Sequence, residues 1–193
     1  MLSCVRANPA SASGEANSRY YSGLTLFSQE RYEEAAMEFE KAAESDTQDA
    51  NAYYYWGVSL KNTGRDDEAV EKFEKAATAD PCHARALFMW GAYLSDKGRY
   101  EEAAEKFEKA TGQDPRLFRA FYLWGEALEK LGRFDDAASK YKVAAQINPR
   151  LSAKVKSEIK RMKGSKKKPL ENKPEMGYTH AGDFIRIIEE EPK

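Results

Sequence analysis

The feature that most constrains this chain is a repeat of 34 residues. Trp56-Gly57, Trp90-Gly91 and Trp124-Gly125 recur at that spacing (90 minus 56, 124 minus 90), as do Gly64, Gly98 and Gly132, and Pro81, Pro115 and Pro149. The same frame aligns Ala69, Ala103 and Ala137, then Phe73, Phe107 and Tyr141, then Ala76, Ala110 and Ala144. Carried back one period, it falls on Gly23, Ala35, Phe39 and Ala42. A fixed period of this length is the mark of stacked supersecondary units, none of which can bury its own apolar stripe alone. Four repeats follow, at 16–49, 50–83, 84–117 and 118–151.

Inside each repeat the pattern is that of two amphipathic helices. Tyr53, Trp56, Gly57 and Leu60 fall at i, i+3, i+4 and i+7, one face of a helix, and Gly64 marks the turn after it. The next segment, RDDEAVEKFEKAATADP, places Ala69, Phe73 and Ala76 on one stripe. Its acids sit at the positive end of the helix dipole. Asp66 and Asp67, Glu101 and Glu102, and Asp135 and Asp136 therefore read as helix starts rather than paired catalytic carboxylates. Gly57 and Ala69 are small where two helices cross closely, with Trp56 and Phe73 filling the space beside them.

This pattern resembles the tetratricopeptide repeat, a helix-turn-helix unit, over residues 16 to about 151. It departs from the family in one regular way: the early aromatic slot holds Tyr53, Leu87 and Phe121, and tryptophan stands in the following slot, usually leucine. Repeat 1 departs further, with Arg19 and Ser22 in core slots, Glu30 for the turn glycine and Thr47 for the proline. The resemblance implies an all-α fold, a right-handed α-solenoid of four helix-turn-helix hairpins. Leu151, Val155, Ile159 and Met162 add one more apolar stripe, read as a C-terminal capping helix over 152–163.

With one stripe of each first helix facing the core, residues advancing 100° apiece put a second set on the opposite face. That face is expected to be exposed, and in the resembled family it lines the concave groove that holds a partner peptide. The candidate groove residues are Tyr20, Tyr21, Leu24, Asn51, Tyr54, Tyr55, Val58, Arg85, Phe88, Met89, Arg119, Tyr122 and Leu123. Over the full face 12 of 24 positions are apolar or aromatic, too many for a solvated surface. The alternative is that tight packing between repeats partly buries them. The family's two-carboxylate clamp for chaperone C-termini is not expected, because its lysine and asparagine positions are filled by Tyr20, Leu24 and Tyr55.

Net charge is -1 and mean hydropathy is -0.78, with no apolar run near the roughly 20 residues of a membrane helix, so no membrane partner is expected. The balance hides an asymmetry: residues 16–149 carry 18 basic and 24 acidic groups, whereas 150–173 carry 10 and 2. Nucleic acid is expected only through the basic segment Lys160–Lys168, whose bland alternative is a solvated linker. Residues 1–15 read as a loose leader, with a mitochondrial presequence as the sharper alternative, and 164–193 as a basic linker and a short apolar, acidic tail. Cys4 and Cys82 make no disulfide framework and suit a reducing compartment. With His83 and His180 the only histidines, neither a metal cluster nor a catalytic triad assembles, and no cofactor motif occurs. The expected function is a non-enzymatic adaptor, scaffold or chaperone-like module that binds a protein or peptide segment with apolar anchors. Self-assembly through the tail or the solenoid ends is the alternative. The expected compartment is the cytoplasm, with nuclear import the alternative that the basic segment supports.

Overall fold

The computed structural model describes residues 14–165, and the expectations for the leader, for Lys166–Lys168 and for the tail with its proposed self-association lie outside the described residues. Helices occur in the order α1 (Gly14–Ser28), α2 (Tyr32–Ser45), α3 (Ala50–Asn62), α4 (Asp66–Ala79), α5 (Ala84–Asp96), α6 (Tyr100–Gln113), α7 (Phe118–Lys130), α8 (Phe134–Ile147) and α9 (Ser152–Ser165). A 3-10 turn at Pro149–Leu151 precedes α9. The architecture is all-α, with two helices to each 34-residue repeat. Contacts divide the chain into two compact units, the first ending at Trp90 and the second beginning at Gly91, within α5. In the first, α1 packs on α2, α2 on α3 and α3 on α4; in the second, α6 packs on α7, α7 on α8 and α8 on α9.

The hairpin turns are built the same way each time. After α3, the Arg65 N–H donates to the Leu60 carbonyl at 2.9 Å and the Gly64 N–H to Lys61 at 3.0 Å, closing a Schellman motif. The same pair of bonds ends α1, α5 and α7. The motif requires a left-handed residue, and Gly64, Gly98 and Gly132 supply it at φ 79°, 75° and 73°. In repeat 1 Glu30 is forced to φ 59° at the same place, so its departure from the pattern is strained. Glu30→Gly is expected to stabilise the chain by about 1 kcal/mol, read as a rise in the urea midpoint at unchanged slope.

Helices α2, α4, α6 and α8 start without a side-chain cap, but an arginine at each N-cap grips an acid three residues on, as Arg99 does Glu102 at 2.6 Å. The guanidinium holds the Glu34, Glu68 and Glu102 carboxyls below their usual range. Between repeats, Asp46, Asp80, Asp114 and Asn148 each accept the N–H two residues ahead at 2.9–3.2 Å, an Asx turn that sets the next helix. The acid pairs thus serve helix starts.

The core is made where the two helices of a repeat cross. Phe39, Phe73, Phe107 and Tyr141 are 0–2% exposed, flanked by alanines no more accessible. Each ring lies against a glycine of the preceding helix: an added Cβ at Gly23, Gly57, Gly91 or Gly125 would come within 2.6–2.9 Å of it. The tryptophans occupy different ground. Trp56, Trp90 and Trp124 are half-buried rather than central to the core, with the Lys72 ammonium 4.3 Å above Trp56 and that of Lys140 3.5 Å above Trp124. A bulky ring cannot enter a helix crossing already filled by another aromatic ring, so it lies outside the crossing, where a lysine ammonium sits over Trp56 and over Trp124. Cys82 is disulfide-bonded, against the expectation of two reduced cysteines.

Candidate functional site

The face opposite the core stripe divides into two kinds of surface. In repeats 1 and 2 it is accessible: Tyr20, Leu24, Tyr54, Tyr55 and Val58 are half-buried, Asn51 is exposed, and Tyr21 is 65% exposed. The rings touch edge to face, Tyr20 to Tyr21 at 5.6 Å, Tyr20 to Tyr55 at 6.0 Å and Tyr54 to Tyr55 at 5.2 Å between centroids. Tyr55 also stacks on Phe39 at 5.5 Å, so the face is anchored in the core beneath it. Burial pushes the Tyr20 phenol pKa well above its ordinary value. It stays a neutral hydroxyl, able to donate or accept.

His83 closes one end. Its Nδ1 accepts the Ala86 N–H at 3.1 Å and so caps α5, which leaves the proton on Nε2, 3.3 Å from Asn51 Oδ1. The imidazole lies 5.1 Å from the Tyr54 ring, and burial lowers its pKa, so it is neutral at pH 7. By sequence His83 stood out only as one of two histidines, too few for a metal cluster or a triad. The usable signal was its position three residues before Ala86, where a helix wants an acceptor.

Four of the candidate groove residues are not exposed. Phe88 is 4% exposed, Met89 5%, Tyr122 1% and Leu123 2%, so here packing wins over the groove expectation. A single helix shows which residues point away from its own hairpin, but not what the chain lays over them. For Tyr122 the cover includes α9, whose Lys154 ammonium lies 4.7 Å from the ring centroid, and Tyr141, whose ring is 5.1 Å away. Arg85 is exposed and Arg119 half-buried, its guanidinium 5.2 Å from the Phe118 ring.

Beside Tyr122 lies a second group of polar residues. The Tyr122 hydroxyl donates to the Glu126 carboxyl, and the Tyr141 hydroxyl donates to Glu129 Oε2 at 3.2 Å. Arg161 Nη2 on α9 is 2.6 Å from Glu129 Oε1 and 2.6 Å from Glu158 Oε2. Desolvation pushes the Glu126 carboxyl up to about 7, with Glu158 and Glu129 adding to the rise and Lys154 opposing it. The phenols of Tyr122 and Tyr141 are pushed up by burial as well.

Among the described residues no group of histidine, cysteine and acid side chains is placed to hold a metal, and no helix is long and apolar enough to cross a membrane. A depression of about 250 Å³ lined by Thr47, Gln48, Tyr53, Lys75, Thr78 and Ala79 has one charged side chain, Lys75, whose ammonium rests 5.7 Å from the Tyr53 ring.

Comparison with known proteins bears on the repeats. A sequence model described as tetratricopeptide repeat matches residues 20–84 and 88–151. No curated protein matches the sequence. Among solved structures, the MamA RS-1 ArsTM double mutant is similar at 22% identity and TM-score 0.71, covering 93% of this chain and 96% of that one. MamA 41-end from Desulfovibrio magneticus RS-1 is 20% identical with TM-score 0.65, covering 82% and 100%. YrrB, a TPR protein with an unusual peptide-binding site, is 25% identical with TM-score 0.63, covering 76% and 74%.

Proposed function

Because the chain belongs to the tetratricopeptide repeat family, whose fold serves protein–protein interaction, we propose that it is a non-enzymatic adaptor or scaffold holding a partner segment on the α1/α3 face of its first unit. The observation that carries this reading is the accessible tyrosine cluster: Tyr20, Tyr21, Tyr54 and Tyr55 with Leu24 and Val58 leave solvent-facing apolar and aromatic surface in a chain otherwise rich in charge. Tyrosines are favoured anchors because they offer much area at little loss of rotamer freedom, and their hydroxyls hydrogen-bond a partner backbone. Exposed Asn51 and Arg85 border the cluster and suit a polar or acidic residue flanking the partner's apolar anchors. The unusual peptide-binding site of YrrB supports a peptide ligand here.

The test is selection of peptides from a random twelve-residue library on the full chain. Recovered peptides are expected to share aromatic or aliphatic anchors and to bind the Tyr21→Ser, Val58→Ser double variant at least tenfold more weakly, with helical circular dichroism unchanged. Equal binding to the double variant removes this face from the reading. Self-assembly is the second reading, favoured by exposed Tyr21 and Met37 on the first repeat, 65% and 51% accessible. Mass that grows with concentration, and that Tyr21→Ser returns to the monomer, selects it.

A further inference from the structure

Cys82 sits where the chain turns from repeat 2 into repeat 3. Its N–H donates to Asp80 Oδ1 at 2.9 Å, and the next N–H, that of His83, donates to the Asp80 carbonyl at 3.0 Å. The His83 imidazole then caps α5 and meets Asn51 and Tyr54, so the turn is fixed to the N-terminal end of the α1/α3 face. At this place in the other repeats stand Gln48, Arg116 and Arg150; the cysteine occurs in repeat 2 alone, and it is disulfide-bonded. The sequence holds one other cysteine, Cys4, which lies outside the described residues.

A bond between Cys82 and Cys4 would anchor residues 5–13 at both ends, because Gly14 opens α1. From Cys4 to Gly14 an extended chain reaches at most about 35 Å. Helices α1 and α3 are neighbours, with the Tyr20 and Tyr55 rings 6.0 Å apart, and Cys82 lies past α3, one residue before the imidazole that meets Asn51. Two helix spacings of roughly 8–10 Å each separate the ends of the segment, well within its reach. A detour to the far end of either helix and back needs more than about 40 Å, so the segment is confined to the first turns of α1 and α3. There the surface is Asn51, Tyr54 and His83, with Tyr20 in the second turn of α1. The composition of the segment suits that course. VRANPASAS has small side chains and a proline, which favour an extended backbone lying flat on aromatic rings. Its one charge, Arg6, is opposite in sign to Asp49 and Asp80, the two acids that act on His83.

We propose that a Cys4–Cys82 disulfide straps residues 5–13 across the N-terminal half of the α1/α3 face, covering Tyr20 and Tyr54 against a partner, and that a dithiol uncovers them by reducing the bond. The strap is an intramolecular occupant at about millimolar effective concentration, enough to exclude a weak external peptide. Release is thiol–disulfide exchange. A thiolate of the dithiol attacks one sulfur, the Cys4–Cys82 bond breaks as a mixed disulfide forms, and the donor's second thiol displaces it. Two electrons and two protons pass from the donor, which ends as a cyclic disulfide, and Cys4 and Cys82 end as thiols. The proposal rests on reading this face as the binding surface, but the strap is measured without any ligand, so either can fail alone.

The full chain, equilibrated with oxidised glutathione, is mapped with trypsin without reduction. Residues 1–6 are expected joined to 76–85 in a protein of monomer mass. Free thiols at both cysteines, or Cys82 joined to a second copy, overturn the strap. Hydroxyl-radical footprinting then compares this chain with one reduced by dithiothreitol and capped with iodoacetamide, and with the Cys4→Ser, Cys82→Ser chain. Tyr20 and Tyr54 are expected to react roughly threefold faster or more in both opened chains, with Trp124 unchanged and helical circular dichroism the same. Equal rates in all three overturn the covering. Peptides selected from the twelve-residue library on the capped chain are expected to bind the oxidised chain about tenfold more weakly or worse, and equal affinity overturns the regulation. A changed footprint with no peptide recovered keeps the strap and removes the binding reading.

Discussion

Phe107→Ala is expected to cost about 3 to 5 kcal/mol, the largest loss of any single truncation in the chain. The ring is fully buried, lies against Gly91, and belongs to a central repeat with Ala103 and Ala110 on either side, both 0% exposed. Alanine neighbours have no length with which to collapse into the space, so the cavity term adds to the lost transfer free energy. In a repeat array each unit is stabilised by its neighbours, so a hole in the middle is felt on both sides. Urea denaturation followed by circular dichroism measures it, with Met37→Ala as the exposed control at no measurable cost. A midpoint unchanged for Phe107→Ala removes the helix crossing from its central role.

Gly57→Val tests the same crossing from the other side and is expected to cost about 3 kcal/mol. A Cβ there would stand 2.6 Å from Phe73 Cε1, and 3.0 Å from the carbonyl oxygen of Ala69. The ring can tilt, but the carbonyl belongs to α4 and cannot move without moving the helix. Replacing a helical glycine ordinarily gains up to about 1 kcal/mol in propensity, so any net loss is set by contact alone. Gly57→Ala separates the terms, since it adds only the Cβ. Thermal melts are expected to rank wild type above Gly57→Ala above Gly57→Val. An alanine variant more stable than wild type shows that the hairpin can spread.

Much of this fold was legible because the repeat states the same solution four times. Gly64, Gly98 and Gly132 predict a turn by their type, and the alanines at the crossing predict close approach by their size. What a period does not reveal is depth. Trp56 and Phe73 both read as core side chains, and only the crossing geometry decides that the phenylalanine is central and the tryptophan peripheral. The binding face shows the same limit more sharply. Tyr54 and Tyr122 hold the same place in their repeats, yet one is half-buried and the other 1% exposed, because α9 and its lysine cover the second. A helical wheel does not see the next helix.

The tryptophans beneath their lysines give the protein a built-in optical ruler. Trp56 belongs to the first unit and Trp124 to the second, each half-shielded from water and each with an ammonium poised over the indole. Losing that shelter shifts the emission of one fluorophore without touching the other. A chain that keeps only Trp56 and a chain that keeps only Trp124, with the other tryptophans replaced by phenylalanine, therefore report separately on the two units. Coincident transitions in the pair mean one cooperative molecule, and separated transitions time the order in which its halves come apart.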